Sequence, residues 1–333
     1  MKRVTIGDVA VEAGVSIATV SKVINDRYGV APETLNRVKA VIEELGYESS
    51  LVARSMRSRR TNVLGILVAD IEPFSAELLK GAANAIRETD YEVIVYSGSG
   101  HGKEHSGWER RNVSRLSGTL VDGIILVTPT VVDVNDDVPI VTVDPHAGPP
   151  SLPSVHSDNL AGAITATEYL IGLGHRRIGF LAGRPDLESA RLREQGFHSA
   201  LAAAGIELDP DLVRVGEYAP DTSEEPAREL LTLEHPPTAI FAANDLSAIE
   251  TMLVARSLGR SIPEDVSVIG FDNIPESALT DPPLTTIDQS IQAMGAEAVR
   301  LLVKLIDGTA NGPLQIVLPT TLVVRQSCRA VGP

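Results

Sequence analysis

Val4-Thr5-Ile6-Gly7-Asp8-Val9-Ala10-Val11-Glu12-Ala13-Gly14-Val15-Ser16-Ile17-Ala18-Thr19-Val20-Ser21-Lys22-Val23-Ile24-Asn25 is the stretch on which the reading of this 333-residue chain turns. Ile6, Val9, Ala10 and Ala13 recur at i, i+3, i+4 and i+7, which is one face of a helix. Gly14 breaks that helix, and Ser16 stands where the next one needs an N-cap. The second helix turns Val20, Val23 and Ile24 inward and leaves Ile17, Ala18, Ser21 and Lys22 outward. Beyond Pro32 a third pattern, Leu35, Val38, Val41, Ile42 and Leu45, stops at Gly46. Three short helices with a glycine-containing turn between the first two predict an all-α helix-turn-helix head over residues 1–48.

The outer face of the second helix is small and polar enough to enter a major groove. Ile17 and Ala18 stand at its N-terminal end and offer apolar contact, for instance to a thymine methyl. Lys22 can reach a guanine acceptor or a phosphate. Thr5, Ser16, Thr19, Ser21 and Asn25 can hold phosphate oxygens through hydroxyl or amide groups. Spacing alone also permits a three-helix bundle that touches no nucleic acid. The charge distribution leans the other way. Residues 1–60 carry ten Lys or Arg against seven Asp or Glu, while the whole chain has a net charge of −15. A basic head on an acidic body concentrates phosphate attraction at one end.

Length suits two or three domains. No apolar run approaches the ~18–20 residues that span a bilayer, and the start of the chain lacks the apolar core of an export signal. A cytoplasmic location without membrane contact is the expectation. Cys328 is the only cysteine, which rules out an intrachain disulfide and reads as a small filler.

From Asn62 the pattern changes. Val63–Val68, Val93–Val95, Gly123–Val127, Ile140–Val143, Ile178–Leu181, Ala239–Ala242 and Val266–Gly270 are short apolar runs of the kind found in buried parallel strands. Helical stretches fall between them, at Leu78–Arg87, Ala161–Gly172, Arg191–Ala204 and Leu246–Leu258. Alternating strand and helix predicts an α/β module with doubly wound parallel sheets. The strands are too many for one such sheet, so two similar lobes are expected. Asp70, Asp144, Asp158, Asp245, Asp272 and Asp288 fall at strand ends or after crossovers, where such sheets bind ligands. Asp70, Asp144 and Asp288 read equally well as caps and turns. The acids and amides of such a cleft suit a hydroxyl-rich ligand.

The opening stretch closely resembles the N-terminal signature of the lactose/galactose repressor (LacI/GalR) family of transcriptional regulators. The resemblance continues through Pro73-Phe74-x-x-Glu77-Leu78, Asp122-Gly123-Ile124-Ile125, Gly174-His175-Arg176-Arg177-Ile178-Gly179-Phe180-Leu181-x-Gly183, Ser189-x-Arg191-x-Arg193, Ala243-Asn244-Asp245, Val268-Ile269-Gly270-Phe271-Asp272-Asn273 and Pro282-Pro283-Leu284-Thr285-Thr286-Ile287. It implies two lobes of periplasmic-binding-protein type behind the head, assembled as a homodimer or a higher oligomer on a palindromic double-stranded operator. The first lobe would cover about 62–158 and 290–319, and the second about 159–289 and 320–330. It implies a hinge over 49–61, in which Arg54 and Arg57 meet phosphates or the minor-groove floor and Met56 wedges between base pairs. Ser49-Ser50 replaces the family's usual Pro-Asn lead-in. It also implies an effector pocket. Arg193 would clamp the ligand with Ser189, Asn244 and Asp272 would bond its hydroxyls, Tyr218 would stack on it, and Asp70 and Phe74 would close it. The effector would be a mono- or oligosaccharide that releases a repressor. A purine, nucleoside or protein co-effector, or partial activation, is the alternative. The dimer contact would run along Leu78–Arg87 and Leu246–Leu258.

An enzyme finds little support. Ser97-Gly98-Ser99-Gly100 follows a strand but lacks a third glycine in phase and an acid at the right distance. The seven histidines do not cluster with acids at metal spacings, so no metal and no cofactor is expected. A pure periplasmic sugar carrier would need an export signal and no head. Trp108, the single tryptophan, reads as core packing rather than a second stacking surface.

Overall fold

The computed structural model describes residues 4–24, 28–47, 60–98, 108–117, 120–129, 138–146, 152–312 and 314–332. They divide into two compact units, with the division between Thr61 and Asn62.

The first unit contains α1 (Ile6–Glu12), α2 (Ile17–Ile24) and α3 (Pro32–Leu45). Thr5 and Asp8 close a capping box at the start of α1. Gly14 takes a φ of 63° in the turn, a region closed to most side chains. Ser16 Oγ accepts from the Thr19 N–H at 3.1 Å and so caps α2. Gly46, in the left-handed region, ends α3. Val9, Ala10, Ala13, Val20, Val23, Val38 and Val41 are buried together, which is the apolar face the spacing predicts.

The second unit holds two parallel sheets. The first has six strands in the order β11-β5-β4-β3-β1-β2. These are β1 (Val63–Val68), β2 (Glu92–Ser97), β3 (Gly123–Val127), β4 (Ile140–Val143), β5 (Ser154–Ser157) and β11 (Gln315–Leu318). The second has the order β7-β6-β8-β9, from β6 (Ile178–Ala182), β7 (Val213–Val215), β8 (Ala239–Ala242) and β9 (Ser267–Ile269). An antiparallel pair, β10 (Thr286–Asp288) with β12 (Thr321–Val323), extends it through bridges from Ile269 to Thr285 and from Asp272 to Asp288. β1, β3, β4, β6, β8 and β9 are buried at every position, as continuous apolar runs require in a sheet covered on both faces.

Among the described residues, seven α-helices cover the sheets: α4 (Pro73–Ile86), α5 (Trp108–Ser117), α6 (Asn159–Gly172), α7 (Glu188–Ala203), α8 (Pro220–Thr232), α9 (Asp245–Ser257) and α10 (Ile291–Ile306). α4, α6, α7 and α9 match the expected helices, with α4 starting five residues earlier than the periodicity predicts. Its first turn is set by Pro73 at the N-terminus and by the Glu72 carboxylate, which accepts from the Phe74 and Ser75 N–H groups. α5, α8 and α10 were not anticipated. Trp108 is buried with its ring over Gly98, and the half-buried Cys328 packs against the second-sheet core, as fillers do. The chain passes between the sheets three times: from β5 to α6, from β10 to α10 and from β11 to β12. Among the described residues no helix is long and apolar enough to cross a membrane.

Candidate functional site

On the first unit, Ile17 is 53% exposed and Ala18 and Lys22 are exposed beside it, while Thr19 and Ser21 are half-buried. The face expected to meet bases is therefore free of the unit's own core. The hydroxyls serve local structure first. Thr5 Oγ1 donates to Asp8 Oδ2 at 2.6 Å, and Ser16 Oγ lies 2.9 Å from Thr19 Oγ1. Thr5 and Ser16 are thus helix caps: the Thr5 hydroxyl hydrogen is given to Asp8, whereas the Ser16–Thr19 pair keeps one of its two hydroxyl hydrogens for a phosphate. Asn25, Arg54, Met56 and Arg57 lie outside the described residues, as does Ser49-Ser50.

In the second unit, Arg193 is the centre of a buried polar cluster. It projects from the first turns of α7 and is 3% exposed. Nε donates to Asn159 Oδ1 at 2.8 Å. Nη1 donates to the Ala243 carbonyl at 2.6 Å and to Asp272 Oδ1 at 3.3 Å. The guanidinium lies over Phe271, with Cζ 3.8 Å from that ring centroid and 5.6 Å from the centroid of Tyr218. Burial pushes the Asp272 carboxyl well above the usual carboxylate range, although Arg193 pulls it down. Its Oδ1 accepts from both Arg193 and Gln289, so Oδ2 is the oxygen left for a ligand hydroxyl.

Asn244 caps α9: Oδ1 accepts from the Ser247 N–H and Nδ2 donates to the Tyr218 carbonyl, both at 3.0 Å. It places the Tyr218 loop rather than presenting free groups. Tyr218 rests on Gly183, where a Cβ would stand 2.1 Å from the ring Cζ. Burial lifts its phenol up to about 12, and Oη is buried with no hydrogen-bond partner among the described residues. Ser189 is buried beside Asp144 and Tyr218. Asp144, Tyr218 and Asp272 have φ of 47°, 72° and 121°, a backbone region that non-glycine residues enter at a cost.

From the first sheet, Asp144 follows β4 and faces Arg193, Ser189, His156 and Asn159, and burial raises its carboxyl. Phe74 packs on the first-sheet core. Asp70 is exposed, and its Oδ1 accepts from the next residue's N–H at 2.7 Å. The first-sheet carboxylates nearest the cluster are Asp144 and Glu72 instead. Sequence reasoning therefore missed Asn159, Gln289, Phe271 and Glu72 as site residues. Phe271 and Asp144 carried a usable signal, one inside the Asp272 motif and the other at a strand end. Asn159 and Gln289 stand at chain crossings, which periodicity does not mark. Beside Asp272 a cavity of about 200 Å³ is lined by Glu77, Asp288, Ser290 and Gln292 among others.

Comparison with known proteins agrees with both parts. Residues 5–50 match the model of bacterial regulatory proteins of the lacI family, and residues 167–328 match a periplasmic binding protein-like domain. The chain is 37% identical to the HTH-type transcriptional regulator CelR of Thermobifida fusca, over 98% of each chain. It is 32% identical to the HTH-type transcriptional repressor CytR of Escherichia coli K12, over 98% of this chain and 97% of that one. Among solved structures it resembles the CelR–cellobiose complex, with a TM-score of 0.73 and 36% identity over 98% of this chain and 100% of that one. It also resembles the lac repressor dimer bound to operator and the anti-inducer ONPF, with a TM-score of 0.85 and 28% identity over 99% of this chain and 100% of that one. The chain belongs to the lacI family of bacterial regulatory proteins.

Proposed function

We propose that this regulator is a transcriptional repressor whose grip on operator DNA is set by a neutral sugar held between the two lobes. The observation that carries the reading is the buried Arg193–Asp272 pair, with Asp144 facing it from the other sheet. Such a set donates and accepts at once, as adjacent hydroxyls require. Asp144 and Asp272 flank a single guanidinium, with Glu72 acting on Asp272, so a phosphorylated ligand would meet one positive charge already shared with carboxyl groups. A flat purine or nucleoside base finds one face of Phe271 already covered by Arg193. The resemblance to a regulator solved with cellobiose supports the same class.

In this reading Ile17, Ala18 and Lys22 probe the major groove, with the Ser16–Thr19 pair, Ser21 and Asn25 on phosphates and Thr5 holding the start of α1 beside them. Arg54, Met56 and Arg57 open the central minor groove. Two copies occupy half-sites about one helical turn apart. Ile71, Leu253 and Leu279 leave exposed apolar surface on or near the elements expected to pair, which supports a homodimer. Sugar binding lowers operator affinity by about 5–150-fold, the usual range of such coupling.

A mobility shift with DNA from upstream of the chain's own gene tests this. Cellobiose or glucose should weaken the retarded complex, and glucose 6-phosphate should not. Arg193→Ala should keep the complex and lose the response. No complex at low salt, or a response to the phosphate ester alone, would overturn the proposal.

A further inference from the structure

Gln289 joins β10 to α10 at one of the three chain crossings, and it is 1% exposed. Its Oε1 accepts from Ser157 Oγ at 2.8 Å and from Arg193 Nη2 at 3.4 Å. Its Nε2 donates to Asp272 Oδ1 at 2.5 Å. Ser157 ends β5 and Asn159 begins α6, so both belong to a different crossing. Asn159 Nδ2 donates to the Ser157 carbonyl at 3.2 Å, and Asn159 Oδ1 accepts from Arg193 Nε. Arg193, Asn159, Ser157 and Gln289 thus close a ring of hydrogen bonds across two of the three crossings.

The amide suits this place for a definite reason. One end must accept from a hydroxyl and a guanidinium, and the other must donate to a carboxylate. A carboxylate there would oppose Asp272, and an apolar side chain would leave Ser157 Oγ buried without its acceptor. The bond from Nε2 also occupies Asp272 Oδ1, the oxygen that Arg193 Nη1 already engages.

We propose that Gln289 is a positioning residue that sets the Arg193–Asp272 pair and ties it to both crossings, so that a load on the pair is felt at once where the lobes are joined. The coupling does not depend on which ligand fills the cleft. Loss of the sugar reading would leave it standing.

Gln289→Met keeps the volume and removes all three bonds. In the ligand-free full-length chain, amide hydrogen exchange should quicken about tenfold or more in peptides spanning both 154–163 and 286–294. Peptides from β1 and β6 should keep the wild-type rate. The Asp272 carboxyl, followed by carbon-13 resonance, should titrate about one pH unit higher, which loss of packing alone would not cause. Ser157→Ala should in turn quicken 286–294, and this variant decides the question if Gln289→Met does not fold. Faster exchange confined to the mutated residue's own crossing, or an unmoved Asp272 titration, would overturn the proposal.

Discussion

Arg193 reaches Asn159, Ala243, Asp272 and Gln289 while lying over Phe271, so one side chain gathers groups from four separate segments. Tyr218 depends on an absence: Gly183 leaves the space its ring fills. Gly183→Ala should displace the ring, cost about 1–3 kcal/mol of stability, and weaken sugar binding about tenfold by calorimetry. Unchanged affinity would remove Tyr218 from the pocket. At the rim, the His146 carbonyl accepts from the Glu188 N–H at 3.1 Å and from Arg191 Nη2 at 3.3 Å, which joins the β4 end to α7. Burial, reinforced by Arg184, drops the His146 imidazole from its ordinary 6.5 to about 4. Between those values the folded chain binds fewer protons than the unfolded one. The stability from neutral His146 is complete above the unfolded value and is lost as pH falls toward the folded one. His146→Asn should therefore lose less melting temperature than wild type between about pH 7.5 and about pH 5. Equal losses would mean that His146 contributes nothing to the slope.

The α4–α10 crossing shows what helices require of each other here. A Cβ on Gly81 would stand 1.8 Å from the Gln292 carbonyl oxygen, and one on Gly295 would stand 2.1 Å from that of Leu78. Two glycines, one on each helix, let the backbones touch. α10 begins two residues after Gln289, so this contact also anchors one chain crossing. Gly295→Ala should separate the helices and destabilise residues 62–333 by about 1–3 kcal/mol, read as a lower denaturant midpoint. A midpoint within error of wild type would show that the crossing yields freely. Neither glycine stands out in the sequence, because a close approach leaves no periodic trace. The strands were easier to read. Runs such as Val63–Val68 are apolar at every position because both faces are covered. Capping was legible as well, through Ser16 before α2 and Gly46 after α3. α5 was missed because its ten residues carry mostly polar and charged groups and only Trp108, Val113 and Leu116 as large apolar side chains inside.

Across the chain, charge is divided between head and body. Residues 1–60 carry an excess of Lys and Arg, whereas the rest bears 19 Lys or Arg against 37 Asp or Glu. Operator affinity should therefore fall steeply with salt, about 10³-fold or more between roughly 50 and 200 mM if six or more phosphates are neutralised. Affinity for a neutral sugar should stay within about twofold over the same range. A salt-insensitive DNA complex would contradict the electrostatic role given to the head. The head helices, the parallel strands and the strand-end position of Asp272 could be read from order and spacing, because those features repeat locally along the chain, whereas Arg193 came from the resemblance of its segment to the family. Which oxygen of Asp272 stays open, why Glu72 and Asp144 rather than Asp70 stand nearest the cluster, and how Gln289 joins two crossings emerged only from the folded coordinates. Contacts between residues 34 to 132 positions apart, such as Arg193 with Asn159 or Ser157 with Gln289, are set by how the sheets and helices pack, and no local pattern encodes that packing.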